Sequence, residues 1–502
     1  MAMVSIQYGE TQFLVAVPVG QTLSALLQKQ NIPVSFPCGG SHSCGKCLVQ
    51  VFGDVSPISR EEARLLPADG ADWRLACFTA ILGDCAVVVP AASGQRIASD
   101  CAAPLTAAEP LYSGEFGAAV DIGTTTVVAY LFRRGESEPL GTCGRMNLQR
   151  SCGGDVLSRI SYCTRHTVAP LQQMIRTQIS DMLKALCGDA GVCLEQLGGV
   201  CITGNTTMLH ILTGLSPQSI GAAPFRPLSL FGERQALCLP DFPNLDCYLP
   251  PCISAYIGGD IVCSVLASGI TMSEKISLLI DVGTNGELAL WQKGTLTCCS
   301  TAAGPAFEGA NISCGMQALS GAIHQVWQES GQLRYAVLNG ETARGICGSG
   351  LIDAAAAARE AGMLDKRGRP AGAALPIGDS GVCLTRQDIQ ELLLAKAAIR
   401  AGIETLLESC AICAEDVEQV VLCGGFGSYM SIDSATRIGL LPPAFQAKTR
   451  SIGNAAGTGA GMLLQNEALL RSVRRIADCA QNIDLSGNPV FFQRYIRAMF
   501  LP

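Results

Sequence analysis

Four cysteines near the start of the chain restrict its folding more than any other feature. Cys38, Cys44, Cys47 and Cys77 fall in a Cys-x5-Cys-x2-Cys-x29-Cys pattern, the first three inside the run Phe-Pro-Cys-Gly-Gly-Ser-His-Ser-Cys-Gly-Lys-Cys-Leu-Val. Three thiols can converge from one loop only if the backbone passes through positive φ and turns its amides inward. Gly39, Gly40 and Gly45 allow this at low steric cost. The surrounding fold must then hold that loop against the distant Cys77, which follows Trp73-Arg74-Leu75-Ala76. Four thiolates suit either a structural zinc ion or an iron-sulfur cluster. The flanks read as a hairpin of residues 4–7 and 12–17 around Gly9, a short helix over 22–30, and a closing strand over 86–89. Ser59 and Glu62 form a capping-box pattern that predicts a helix over 60–66.

The chain has 502 residues, enough for about three domains, and carries 35 Lys and Arg against 42 Asp and Glu. The net charge of -7, with no dense basic block, argues against a nucleic-acid or anionic-membrane partner. No apolar run reaches the roughly 18 residues of a membrane span, and the first residues lack a signal-peptide pattern, so a cytoplasmic location is expected. The 25 cysteines are then thiols or ligands. Cys201, Cys263 and Cys423, set among Val, Ile and Leu, read as small core hydrophobes. Neither Cys410 with Cys413 nor the adjacent Cys298 and Cys299 has a second pair at metal-ligand spacing. His42 is a candidate for tuning the cysteine-bound centre, set against the plainer reading of a solvated loop residue; His166, His210 and His324 have no spacing that assigns them a role. After Pro90 the sequence becomes small and polar without amphipathic period, which predicts a linker over 92–113 between a module of 1–91 and the rest.

The remainder repeats one device. Gly-Ala-Ala-Val-Asp121-Ile-Gly123-Thr124-Thr125-Thr126 and Leu-Leu-Ile-Asp281-Val-Gly283-Thr284-Asn285-Gly286-Glu287 lie 160 residues apart, each a strand, an Asp-x-Gly-Thr turn and a returning strand. Such a turn offers a carboxylate for a magnesium-bound water, a glycine that lets amides approach phosphate oxygens, and hydroxyl or amide donors for the same oxygens. One copy can be a structural hairpin turn; two at domain spacing point to a shared phosphate site. A third glycine run, Gly424-Gly425-Phe426-Gly427, follows the strand 420–423. Gly40-x4-Gly45-Lys46 is no P-loop, because Cys47 stands where Ser or Thr should hold magnesium. The glycines at 457, 459 and 461 lack the context of a dinucleotide fingerprint and read as a close-packed helix.

The cysteine spacing resembles that of 2Fe-2S ferredoxins, with the first gap one residue longer than in the plant type. The order of the glycine motifs resembles the actin, hexokinase and sugar-kinase superfamily of ATPases. Together they imply an α/β multidomain chain: a β-grasp ferredoxin domain over 1–91, then two ribonuclease-H-like subdomains over 114–272 and 273–502, the second with a C-terminal tail. By that likeness Cys38, Cys44, Cys47 and Cys77 hold the cluster. Asp121, Gly123, Thr124, Thr125, Thr126, Asp281, Gly283, Thr284, Asn285 and Gly286 face the phosphates and Mg2+ of ATP, with Asp121 and Asp281 catalytic. Gly424, Gly425 and Gly427 border the adenosine, and Glu287 has no assigned counterpart.

The fusion as a whole resembles the reductive activators of corrinoid proteins, carried by the stretches Gly304-Pro-Ala-Phe-Glu308-Gly309-Ala-Asn-Ile-Ser313-Cys314-Gly315, Ile346-Cys-Gly348-Ser349-Gly350 and Gly204-Asn205-Thr206-Thr207 and by the tail with Phe491-Phe492 and Arg497-Ala-Met-Phe-Leu-Pro. Its connector is short for that group. The resemblance implies a corrinoid methyl carrier as partner, an upstream electron donor, and ATP-driven transfer of one electron to Co(II); a homodimer is left open. The transfer is uphill from a cluster near -400 mV, and a gap of about 200 mV costs roughly 5 kcal/mol. Ser313 is a candidate oxygen donor to cobalt, weighed against a hydroxyl that caps a turn. The alternatives are an ATP-dependent donor to an iron-sulfur enzyme, a small-molecule kinase with a regulatory cluster, and an actin-type binding switch.

Overall fold

The structure, a computed structural model, describes the whole chain except residues 9–10, 31, 33, 35–41, 43–44, 46, 67–71, 90–108, 341 and 428. Cys38, Cys44, Gly39, Gly40 and most of the expected linker lie outside the described residues.

The N-terminal module is a β-grasp sheet. Its strands β1 (Ala2–Tyr8), β2 (Thr11–Val17), β3 (Leu48–Val55), β4 (Trp73–Leu75) and β5 (Ile81–Val89) are ordered β2-β1-β5-β3-β4, with β1 parallel to β5. Alternation in β1 turns Ala2, Val4 and Ile6 inward. The helix Leu23–Lys29 covers them with Leu23, Leu26 and Leu27, and the Thr22 hydroxyl caps it by accepting from Ala25 N at 3.3 Å.

The helix expected over 60–66 is a single turn, Arg60–Ala63. Ser59 Oγ does accept from Glu62 N at 3.0 Å. The Glu62 carboxylate, however, takes both Arg74 Nε and Nη2 at 2.9 Å and Leu75 N at 3.0 Å, with both side chains buried. A bidentate charge-assisted pair is stronger than a neutral cap bond, so Glu62 braces the strand leading to Cys77.

The rest of the chain contains one sheet pattern twice. The strands β6 (Phe116–Ile122), β7 (Thr126–Arg133), β8 (Gly141–Met146), β9 (Leu197–Gly204), β10 (Glu233–Leu239) and β11 (Phe242–Leu249) are ordered β10-β11-β9-β6-β7-β8. In the second sheet β12 (Ser277–Val282), β13 (Gly286–Gln292) and β14 (Thr295–Thr301) form the antiparallel triplet. Gln419–Cys423 and then Thr449–Ser451 add in parallel beside β12, as β9 and then β11 do beside β6. This is the ribonuclease-H-like order, and it puts Asp121 and Asp281 at equivalent strand ends.

Two helices, Gly259–Ser268 and Ala455–Gln465, lie between the sheets and share one apolar cluster with both. They cross so closely that a Cβ on Gly459 would stand 2.2 Å from the Cys263 carbonyl oxygen, and a Cβ on Gly457 would stand 2.6 Å from the ring of Tyr130 in β7. The glycine-rich run at 457–461 is therefore a packing surface.

The end of the expected linker differs from a loose tether. Leu111 N donates to Leu464 O at 2.8 Å, and Leu111 and Tyr112 are buried in the cluster between the sheets. Tyr112 fits because β6 and β9 offer bare backbone, a Cβ on Gly117 reaching within 2.7 Å of its ring. A small polar composition hid two anchoring side chains.

Gly459→Ala should destabilise the two-sheet unit by about 1–3 kcal/mol through overpacking, read from the denaturant midpoint of the full chain. Gly188→Ala, in the helix Ala169–Ala190 with no atom within 4 Å of the added Cβ, should leave the midpoint unchanged or raise it.

Candidate active site

The two repeated turns and the glycine corner after Cys423 meet around one cavity of about 230 Å³. Asp121, Gly123, Thr124, Thr125 and Thr126 line it from the first sheet, and Asp281, Gly283, Thr284, Asn285, Gly424 and Gly425 from the second. Gly286 and Gly427 do not reach its wall: Gly286 packs against Thr301 and Ile399, and Gly427 against Val282 and Leu422. Gly424 has φ +87°, and a Cβ there would stand 2.2 Å from Asp281 Oδ1, so glycine is needed both for the turn and for the approach to the carboxylate.

Asp260, Glu287 and Glu308 join Asp121 and Asp281 as carboxylates on the cavity wall. Glu287 pairs directly across the sheet with Asp281, where the first copy pairs Asp121 with Val128. Each is half-buried and lines the cavity. Removal from bulk water pushes Asp121 up to about 7, Asp260 up to about 8 and Asp281 up to about 6, and lifts Glu287 well above the ordinary range. Mutual repulsion adds to this for Asp121, Asp260 and Glu287, while a hydrogen bond from Asn454 eases Asp121.

Among the described residues no three His, Cys, Asp or Glu side chains are placed to hold one bare metal ion. Carboxylates that feel one another without converging suit magnesium, which keeps several of its waters. Asp260 was not found in the sequence; its signal was an acid in the first turn of a helix after Gly258-Gly259.

The turns are braced from behind. Asn205 caps the helix Thr206–Thr213 and donates to Thr124 Oγ1 at 3.2 Å; Asn147 Nδ2 donates to Gly123 O at 2.8 Å; the buried Arg159 donates to Thr124 O. Burial lowers Arg159 to about 9. Between the turns lies Glu308, which the sequence offered only as part of a glycine-rich run. Thr125 Oγ1 donates to its Oε2 and Thr284 Oγ1 to its Oε1, both at 2.5 Å. Phe307 stacks on Phe426 beside the cavity, centroids 4.9 Å apart.

In the N-terminal module Cys47 and Cys77 are buried with their sulfurs 3.3 Å apart. That is far beyond the ~2.05 Å of a disulfide and close to the about 3.8 Å separating two ligands of a tetrahedral metal with ~2.3 Å bonds. The donor set thus fits a thiolate-held centre. His42 is exposed but not adrift: Nε2 lies 3.0 Å from Cys77 O, and the ring stacks on Phe78.

Ser313 donates from both N and Oγ to Asp388, each at 2.6 Å, at the capped start of the helix Arg386–Ser409. Cys298 and Cys299 sit side by side in β14, and Cys413 bonds Asp416 at a turn.

The raised carboxylates set a pH dependence. Their folded pKa values lie above the unfolded ~3.9, so the folded state holds more protons and loses stability as pH rises from about 4 to about 8. Without magnesium, the melting temperature should fall across this range. Asp260→Asn should flatten the decline, and added Mg2+ should restore more stability at pH 8 than at pH 6, as differential scanning calorimetry would measure.

Three family models match the chain: the 2Fe-2S iron-sulfur cluster binding domain over residues 7–82, the RACo middle region over 116–273, and the C-terminal domain of RACo, the ASKHA domain, over 275–502. The chain is 32% identical over 416 residues to the corrinoid activation enzyme RamQ of Eubacterium limosum, covering 76% of this chain and 69% of that protein. It is 26% identical over 396 residues to the Co(II) methylated amine-specific corrinoid protein reductase of Methanosarcina barkeri, covering 72% of each. A solved structure of a reductive activator for corrinoid, iron-sulfur protein superposes with a TM-score of 0.71 at 28% identity, covering 100% of this chain and 98% of the other. With both modules and both repeated sheets accounted for, the chain belongs to the RACo family of reductive activators of corrinoid proteins.

Proposed function

We propose that this protein couples ATP hydrolysis to the transfer of one electron onto the cobalt of a corrinoid protein, returning Co(II) to Co(I). The observation that carries the reading is one cavity shared by two phosphate turns on two different sheets, in the same chain as a thiol pair poised for a redox centre. Cys38, Cys44, Cys47 and Cys77 would hold a 2Fe-2S cluster, which supplies one-electron transfer. Asp121, Asp281 and Asp260 would receive the waters of a magnesium ion, whose charge relieves their repulsion. Thr124, Thr125, Thr284 and Asn285 would donate to phosphate oxygens that the backbone at Gly123 and Gly283 lets approach. Gly424 and Gly425, with no side chain, leave room for the adenosine.

Because phosphate ligands come from both sheets, bound nucleotide draws the two together and hydrolysis releases them. A docked partner that prefers one arrangement shifts its population, and the nucleotide state in turn biases the partner's cobalt environment. The uphill gap of roughly 5 kcal/mol is within what such coupling can supply. The electron donor, the cytoplasmic location and the identity of the corrinoid protein belong to the same reading.

Asp281→Asn should lower magnesium-dependent ATP hydrolysis by on the order of 100-fold or more while the visible spectrum of the cluster stays as in the wild type; full turnover would remove Asp281 from the phosphate site. Mixed anaerobically with an oxidised corrinoid protein and a reductant, the intact protein should generate the Co(I) absorbance only with ATP and magnesium, and the partner should raise ATP turnover. Equal Co(I) without ATP would count against the coupling.

A further inference from the structure

We propose that Glu308 is the catalytic base of this cavity, the group that takes the proton from the water attacking the terminal phosphate of ATP. The assignment rests on the ATPase reading above. Glu308 enters between the two turns, at the end of the one-turn helix Pro305–Glu308. Behind it Gly309 has φ +75°, and a Cβ there would stand 2.6 Å from Met316 O, so the backbone that presents the carboxylate is fixed.

Both carboxylate oxygens are engaged, one by the Thr125 hydroxyl of the first phosphate turn and one by the Thr284 hydroxyl of the second, at 2.5 Å each. A point within hydrogen-bond reach of both turns is the place between them where a phosphate tail must lie. A phosphoryl oxygen and Glu308 therefore compete for the same two donors. Arriving nucleotide takes the hydroxyls and leaves the carboxylate beside the terminal phosphate, released from its donors and able to accept a proton.

The other acidic groups of the cavity are poorly suited to this step. Asp121, Asp260, Asp281 and Glu287 sit at strand ends or a helix start, in the wall and set around one another, where on the reading above they would receive the waters of a cation. Among the described residues, no His or Lys side chain lines the cavity. In the step, the water oxygen bonds to the terminal phosphorus as the bond from that phosphorus to the bridging oxygen of ADP breaks, the electron pair leaving with ADP. The water proton passes to Glu308 and from there to the departing phosphate. A positioned base of this kind contributes about 10²–10⁴-fold, and in phosphoryl transfer much of that is orientation of the nucleophile.

The test uses the full-length protein with magnesium and ATP, measuring nucleotide affinity by equilibrium dialysis and the chemical step by single-turnover quench. Glu308→Gln keeps the shape and should slow the single-turnover rate by about 10²–10⁴-fold, with ATP bound as tightly as in the wild type or tighter because a competing charge is gone. Glu308→Asp keeps the carboxylate but withdraws it by one methylene. It should bind ATP normally with a rate between the two, and it carries the test should the amide variant fail to fold. An amide variant within tenfold of an active wild type overturns the assignment alone, as does a loss of rate explained by weaker binding at unchanged turnover. A wild type that binds but never hydrolyses ATP overturns the ATPase reading and this assignment with it.

Discussion

Like charge gathered away from bulk water organises this molecule. Asp121, Asp260, Asp281 and Glu287 face one cavity, and each is harder to ionise than a free carboxylate because it has lost solvent and, for three of them, because it stands near the others. Buried carboxylates left unpaired destabilise the fold that holds them. Their neutral forms relieve this at low pH, and on the proposed reading a hydrated divalent cation would relieve it at physiological pH. Since Asp121 hangs from one sheet and Asp281 from the other, this repulsion acts across the gap between the sheets.

Behind those carboxylates the structure is rigid. The helices Gly259–Ser268 and Ala455–Gln465 touch backbone to backbone at Cys263 and Gly459 and share their apolar cluster with strands from both sheets. Asp260 is in the first turn of one helix and Asn454, which bonds Asp121, caps the other. A change at the phosphates is thus felt at the starts of the two helices that lie between the sheets. Close-packed helices slide or rotate as bodies more readily than they deform, and on the proposed reading a small shift at the cavity would displace one sheet against the other.

Much of this could be read in the sequence because it was written in residues that have few other uses. Two Asp-x-Gly-Thr turns at domain spacing gave the doubled sheet and nine residues of the cavity wall, and cysteine spacing gave the redox module. Gly286 and Gly427 are not among the cavity-lining residues, since a glycine in a turn can serve backbone packing as well as a ligand, and the sequence does not say which side it faces. Glu308 was invisible for a different reason. Its role depends on a meeting with Thr125, 183 residues away in the chain, and no local pattern records a contact of that range. Glu62 misled in the opposite direction: its local pattern with Ser59 was real, but Arg74 offered the carboxylate a stronger bond.

The two modules have separate cores. The apolar cluster of the β-grasp sheet contains Cys47 and Cys77 and no residue beyond Val89 among its buried members, whereas the three largest clusters of the remainder begin at Leu111. Independent cores let the redox centre and the nucleotide site be tuned without mutual strain, and they leave the chain between them to set how often the two meet a common target. Leu111 and Tyr112 clamp the distal end of that connection into the cluster between the sheets, at the backbone of Leu464 near the end of the helix Ala455–Gln465. The connection to the electron-carrying module is therefore fastened to the same helix whose start bonds Asp121. The same clamp leads straight into β6, so the shortest covalent route from Asp121 to the tether is that strand, and the helix, joined to Leu111 by a hydrogen bond, is a second one.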